Sequence, residues 1–274
     1  MTIFLQAVNV LLPLLYGLSL IFYVSHFNTK KPRYGKWASS ILLIGIITDV
    51  IYIVGKGLYF QYFPISNTSE SFSMLALNIA VLYYIIERTN KEGATGLFFL
   101  SIIFLFQLIA SMFINGFGTS NELLSNPMFG FHVTLTLLGI SALAIAALYA
   151  LMYLMLAKEI KRHHFGVIYD RLPALETVEK MGMFATGFGI IFLGIGVFLG
   201  HLWAYKILGY FFTTDPKIVI TDIAWMIYAL GWIVSWKLGL RGLRMSLITF
   251  WGFLVLFISI VVFSMFLQTF HRFS

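Results

Sequence analysis

The chain has 274 residues, of which 60% are hydrophobic and 11% charged, with 28 Phe and a formal net charge of +7. That balance, with a mean hydropathy of +0.91, excludes an ordinary soluble domain and describes a multi-pass membrane protein. The absence of cysteine excludes disulfides, thiolate metal sites, thiol redox relays and thioether attachment of a group to this chain, so any metal centre must rest on histidine, methionine, tyrosine or carboxylate.

About 20 apolar residues in a helix cross a bilayer core of ~30 Å. Segments of that kind run roughly 4–25, 38–60, 72–87, 96–115, 130–157, 182–204, 218–236 and 246–268. The expected fold is therefore an all-α integral membrane protein, a single polytopic domain over 1–274 with eight transmembrane helices. The first segment has no basic region before it and no small-residue cleavage site after it, which reads as a retained helix rather than a signal peptide. The second carries Asp49 near its centre, with Lys56 two turns later on about the same face. Intramembrane charge is costly and marks a functional candidate, and Gln107 and Asn78 in neighbouring segments are candidate partners. A neutral, hydrogen-bonded Asp49 that serves packing is the alternative. The third segment is short enough to extend into the preceding Ser-rich turn, where Asn67-Thr68-Ser69 forms a glycosylation triplet of little weight.

The distribution of Lys and Arg sets the expected orientation, because short basic connectors stay in the cytoplasm. Alternate connectors hold 14 of the 18 basic residues: Lys30, Lys31, Arg33 and Lys36; Arg88 and Lys91; Lys158, Lys161, Arg162, Arg171 and Lys180; Lys237, Arg241 and Arg244. Both termini are then extracytoplasmic, as is the connector GHLWAYKILGYFFTTDPK, residues 200–217. In the long inner connector 157–182, Leu172-Pro173 followed by Glu176 and Glu179 predicts a short interfacial helix beginning at the proline.

This topology sorts the six histidines. His26 lies at the inner end of the first segment, where no other histidine matches its depth. His163 and His164 belong to a solvated basic run. His132, His201 and His271 reach the outer face, His132 opening the fifth segment and His271 closing the eighth. Two imidazoles arriving at one membrane face suit axial ligation of haem iron. Between them in chain order, Trp203, Tyr205, Tyr210, Phe211 and Phe212 offer ring surface to a porphyrin, and Lys206, Lys217 and Arg272 offer cations to its propionates. An interfacial aromatic belt explains the same rings without a ligand, and Asp215-Pro216 also reads as an N-cap followed by proline at the first helical position.

The 200–217 stretch resembles the tryptophan-rich signature of the cytochrome c assembly superfamily, with its CcmC, CcsA or ResC, and HemX-like branches. Gly200, Trp203, Ala204, Gly209, Asp215, Pro216 and Lys217 match that signature, Phe211 is conservative for its Tyr, and Trp225 and Tyr228 follow in ITDIAWMIYALGW. The likeness covers about 130–274, with His132 and His271 in the places of the family's two external histidines. Leu208, Phe212 and Thr214 stand where tryptophans are usual, and Ile218 where Glu is. The resemblance implies haem b held at the outer face between His132 and His271, in the inner (cytoplasmic) membrane, with a second membrane subunit and apocytochrome c as protein partners. The lipid bilayer is a further partner, and no nucleic acid is expected. No nucleophile or acid/base pair stands in a catalytic arrangement, so thioether formation would follow from positioning alone. A HemX-like regulator of tetrapyrrole synthesis acting through the inner connector is the alternative, and a proton-coupled transporter centred on Asp49 a third.

Overall fold

The computed structural model describes residues 2–65, 67–90, 93–112, 126–163, 165–209, 211 and 216–266. The helices are α1 (Thr2–Thr29), α2 (Pro32–Phe60), α3 (Thr68–Asn90), α4 (Gly96–Met112), α5 (Pro127–Lys161), α6 (Val167–Arg171), α7 (Leu175–Leu208), α8 (Pro216–Lys237) and α9 (Leu243–Phe266). Six of them are long and apolar enough to cross a membrane, and α4 and α9 contain shorter apolar stretches. The chain is a multi-pass helical membrane protein.

Helical hydrogen bonding outlasts the hydrophobic stretches. Asn126 starts α5 four residues ahead of the apolar segment, its side chain accepting from Met128 N at 2.9 Å with proline next in line, which satisfies one of the donors that the first turn leaves open. In α3, Asn67 Oδ1 accepts from Glu70 N at 2.8 Å, so the asparagine of the glycosylation triplet caps the helix and brings Glu70 into its first turn. The helix expected to begin at Pro173 is not a separate element: residues from Leu175 onward are the first turns of α7, which runs unbroken to Leu208. The short helix lies just before the proline, as α6, where Glu159 Oε2 accepts from Gly166 N at 3.1 Å and Tyr169 N at 2.8 Å.

Two compact units divide the chain, 1–125 and 126–274. In the first, α1 packs on α2 and α4, and α3 packs on α4 and α2, making a ring of four helices. Its interior is unusually polar for membrane depth. Asp49, fully buried, accepts from Tyr16 OH at 3.0 Å and from Ser73 Oγ at 3.4 Å. Ser73 Oγ also lies 3.2 Å from Gln107 Oε1, which brings Gln107 into the cluster through the serine, whereas no hydrogen bond joins the Asn78 side-chain nitrogen to it. Lys56 pairs not with Asp49 but with Glu70, Nζ to Oε1 at 2.5 Å, both side chains buried. Tyr62 OH donates to the same carboxylate at 2.8 Å. Each buried charge thus has an opposite charge or a donor, as burial away from water requires.

In the second unit α5, α7, α8 and α9 form another ring, with α5 and α7 in the most extensive contact. Of its most apolar stretch α5 buries 72%, against 17% for α8, so α5 is the axis of this unit and α8 its outer wall. The small residues of GISALAIAALYALM allow that close approach, since association within lipid depends on backbone proximity more than on hydrophobic gain. On α7, glycines open recesses on two faces. A Cβ at Gly196 would stand 2.7 Å from Thr136 N of α5, while one at Gly194 would stand 2.7 Å from the Trp225 ring of α8. Trp225 Nε1 donates to Ile190 O at 3.0 Å, and Tyr228 OH to Thr249 O at 3.1 Å, so the ring nitrogen and phenol of these two residues are both satisfied inside the unit.

Candidate functional site

His132 stands on the sixth residue of α5, half-buried against α7. Its Nδ1 is 2.6 Å from Gly196 O, a distance that makes Nδ1 the protonated donor to a carbonyl that can only accept. This fixes the tautomer and the plane of the ring, and Nε2 becomes the nitrogen suited to a metal. Histidine ligands are oriented in this way by a carbonyl or carboxylate behind them. The absence of a side chain at Gly200 is part of the arrangement, because a Cβ there would lie 2.5 Å from His132 Cε1 and 2.8 Å from Nδ1. Threonine completes the local geometry: Thr136 Oγ1 donates to His132 O at 2.7 Å.

The residues of the 200–217 stretch separate by depth. Residues 200–208 are helical, so the connector is shorter than its aromatic content suggests. Trp203 is 1% exposed and packs against Phe129 with ring centroids 5.4 Å apart, beneath the surface rather than on it. Tyr205 is 57% exposed and Lys206 is exposed one residue later. Gly209 ends the helix with φ +81°, its N–H donating to Tyr205 O at 2.9 Å; glycine enters this left-handed region without a Cβ clash. Phe211 follows, turned back onto α7. Tyr210, Phe212, Asp215, His271 and Arg272 lie outside the described residues, and so does the side chain of Lys217, whose backbone is in the first turn of α8.

Sequence reading assigned no role to His201 and passed over Asp222. His201 is 8% exposed, its Nδ1 3.1 Å from Phe211 O and its Nε2 3.0 Å from Asp222 Oδ2 of α8. The Phe211 ring stacks on the imidazole at 5.2 Å and 21°. A depth rule would have found the pair. His201 sits seven residues before the end of α7 and Asp222 six after the start of α8, about 10 Å down each arm of an antiparallel hairpin.

Elsewhere in this unit a narrow cleft lies between Tyr149, Tyr153, Glu179, Met183, Met245 and Ser246, at the end of α7 remote from His132. Beside it Glu179 Oε1 accepts from Gly242 N at 2.7 Å. The cleft has room for about 10 Å³, roughly one water molecule and far too little for a cofactor. Among the described residues no group of three or more His, Asp or Glu side chains is placed to hold a metal ion. His26 Nδ1 is 3.1 Å from Lys31 O in the first unit.

A ring of apolar helices with an oriented histidine at one end, flanked by exposed aromatic and cationic residues, defines a multi-pass membrane protein with a candidate ligand site at a membrane face. Residues 65–271 match the family described as cytochrome C assembly protein, and the chain belongs to that family. Among its relatives is Protein HemX of Brevibacillus brevis, 24% identical over 264 residues and covering 94% of each chain. The cytochrome c biogenesis protein CcsA of Spinacia oleracea is 25% identical over 252 residues, 75% of this chain and 76% of its own. That of Guillardia theta is 27% identical over 241 residues, 78% and 75%.

Proposed function

We propose that this chain handles haem in cytochrome c biogenesis, holding haem b at the extracytoplasmic face of the inner membrane through His132 and His271. The eight apolar helices all cross the bilayer in this reading, with both termini outside. The observation that carries it is the Nδ1 contact of His132 with Gly196 O, which turns the ring into a ligand with one defined nitrogen for iron. His271 would be the second residue to hold the group. Tyr205, Tyr210, Phe211 and Phe212 line the porphyrin edge with Asp215 beside them, Trp203 supports them from below, and Lys206, Lys217 and Arg272 neutralise propionates. Haem so held brings the capacity for thioether bonds with apocytochrome cysteines. The protein contributes position and exclusion of water rather than acid/base groups, and a second membrane subunit brings the apocytochrome to it.

Purification from membranes and optical spectra of oxidised and reduced protein test this directly. A low-spin haem b spectrum is expected, lost in His132→Ala and in His271→Ala. Haem retained in both variants would place the ligands elsewhere and end the proposal.

A second reading, a regulator of tetrapyrrole synthesis acting through the inner connector, is favoured by one observation. Phe165, Val167 and Tyr169 are 62%, 57% and 46% exposed beside Lys161 and Arg162, an apolar patch rimmed by cations and held in shape by Glu159. In this reading Phe165→Ser with Tyr169→Ser abolishes regulation in cells while the haem spectrum stays intact.

A further inference from the structure

We infer that His201 and Asp222 are positioning residues that clamp the α7–α8 connector at Phe211, holding the aromatic wall in place beside the haem site. The inference rests on the haem reading for its consequence, though the clamp itself is a property of the chain alone. Gly209 ends α7 in the left-handed region, and two residues later Phe211 lies beside a side chain ten positions earlier in sequence. Its carbonyl meets Nδ1 and its ring covers the imidazole. Asp222, from the far arm of the hairpin, meets Nε2. One imidazole thereby joins α7, the connector at Phe211 and α8 near the connector end of the hairpin, while Trp225 ties the two helices deeper down through Ile190 O.

Proton counting shows how the clamp is held. Phe211 O can only accept, so Nδ1 carries hydrogen. The other contact needs one proton between Nε2 and Asp222 Oδ2, located on either atom. The pair therefore closes as imidazolium with carboxylate, or as neutral imidazole with carboxylic acid, and has zero net charge either way. Such a pair is compatible with the low exposure of His201, because no uncompensated charge is buried. Both ring nitrogens of His201 face acceptors within the protein.

The test has one arm that needs no haem. Trypsin cleavage after Lys206 and Lys217, in purified apoprotein in detergent, reports opening of the connector, since cleavage of a segment that closes quickly tracks its open population. Loss of a buried hydrogen bond to a charged partner corresponds to cleavage about tenfold faster in His201→Ala and Asp222→Ala. Asp222→Asn should cleave at close to the wild-type rate, because its amide donates to Nε2 of a neutral imidazole that keeps Nδ1–H on Phe211 O. If His201→Ala does not accumulate, the Asp222→Ala and Asp222→Asn comparison decides alone. Unchanged cleavage in Asp222→Ala, or Asp222→Asn as labile as Asp222→Ala, overturns the clamp. In the second arm, haem should dissociate about tenfold faster from His201→Ala with the positions of its absorption bands unchanged. Loss of the low-spin spectrum in that variant would make His201 an iron ligand and overturn the positioning role. Wild-type protein without haem would sink the haem reading and leave the cleavage result to judge the clamp.

Discussion

Substitution of Gly196 by alanine probes the contact on which His132 depends. The added Cβ would meet Thr136 Oγ1 at 2.5 Å, Thr136 N at 2.7 Å and Thr136 Cα at 2.9 Å, where ordinary contact begins at 3.4 Å. Two of these three atoms are backbone and cannot rotate away. α5 and α7 must then part locally by about 0.5–0.9 Å, and overpacking of this kind costs about 1–3 kcal/mol. The His132 bond to Gly196 O, 2.6 Å long, is stretched by the same movement and adds about 1 kcal/mol. A total of about 2–4 kcal/mol is a roughly 30- to 700-fold fall in the folded ratio, measurable as a shifted midpoint of SDS-driven unfolding in mixed micelles. Gly231→Ala is the control, because its nearest neighbour is Ile248 Cγ2 at 3.9 Å and alanine favours the helix interior by about 0.5–1 kcal/mol. Equal stability of Gly196→Ala and wild type would refute the close α5–α7 approach.

Glu70→Ala should destabilise the first unit by about 3–5 kcal/mol, because Lys56 then loses the opposite charge beside it, while Lys56→Met with Glu70→Met should recover most of that loss in a double-mutant unfolding cycle. Asp49→Leu deprives Tyr16 OH of its acceptor, while Ser73 Oγ keeps Gln107 Oε1, and should cost about 1–3 kcal/mol, whereas Asp49→Asn, which keeps a carbonyl oxygen for Tyr16, should cost less by the same assay. Glu179→Ala frees Gly242 N at the α8–α9 turn and should speed trypsin cleavage after Arg241 and Arg244. Glu179→Gln retains an acceptor and should slow it again.

The apolar segments were legible because each is a continuous hydrophobic run, and their order in the chain fixes the helices. Their ends were not, because hydropathy stops where the residues turn polar, whereas the hydrogen-bond ladder continues through Leu175–Met181 and Lys158–Lys161 into the interface. A start signal at Pro173 was read correctly as helix-forming but assigned to the wrong element, since nothing in Glu176 and Glu179 tells that the helix they open continues for 34 residues. His132 could be singled out from its place at the head of a segment. His201 could not, because its partner Asp222 resembles any polar residue in a first turn, and only the shared depth of two antiparallel arms relates them. Periodicity puts Lys56 on about the same face as Asp49, yet a charge in a bundle chooses among several helices, and its ion-pair partner is Glu70 of α3.

Helix α7 is fitted on one side around the backbone of α5 at Gly196 and on another around the Trp225 ring at Gly194. A shaft keyed on two sides cannot spin, since a fraction of a turn would drive main chain or indole into solid surface. Displacement at the Glu179 end can therefore arrive at His201, 22 residues and about 33 Å away, only as sliding or tilting of the whole rod. The cleft end and the ligand end of this unit are mechanically one piece.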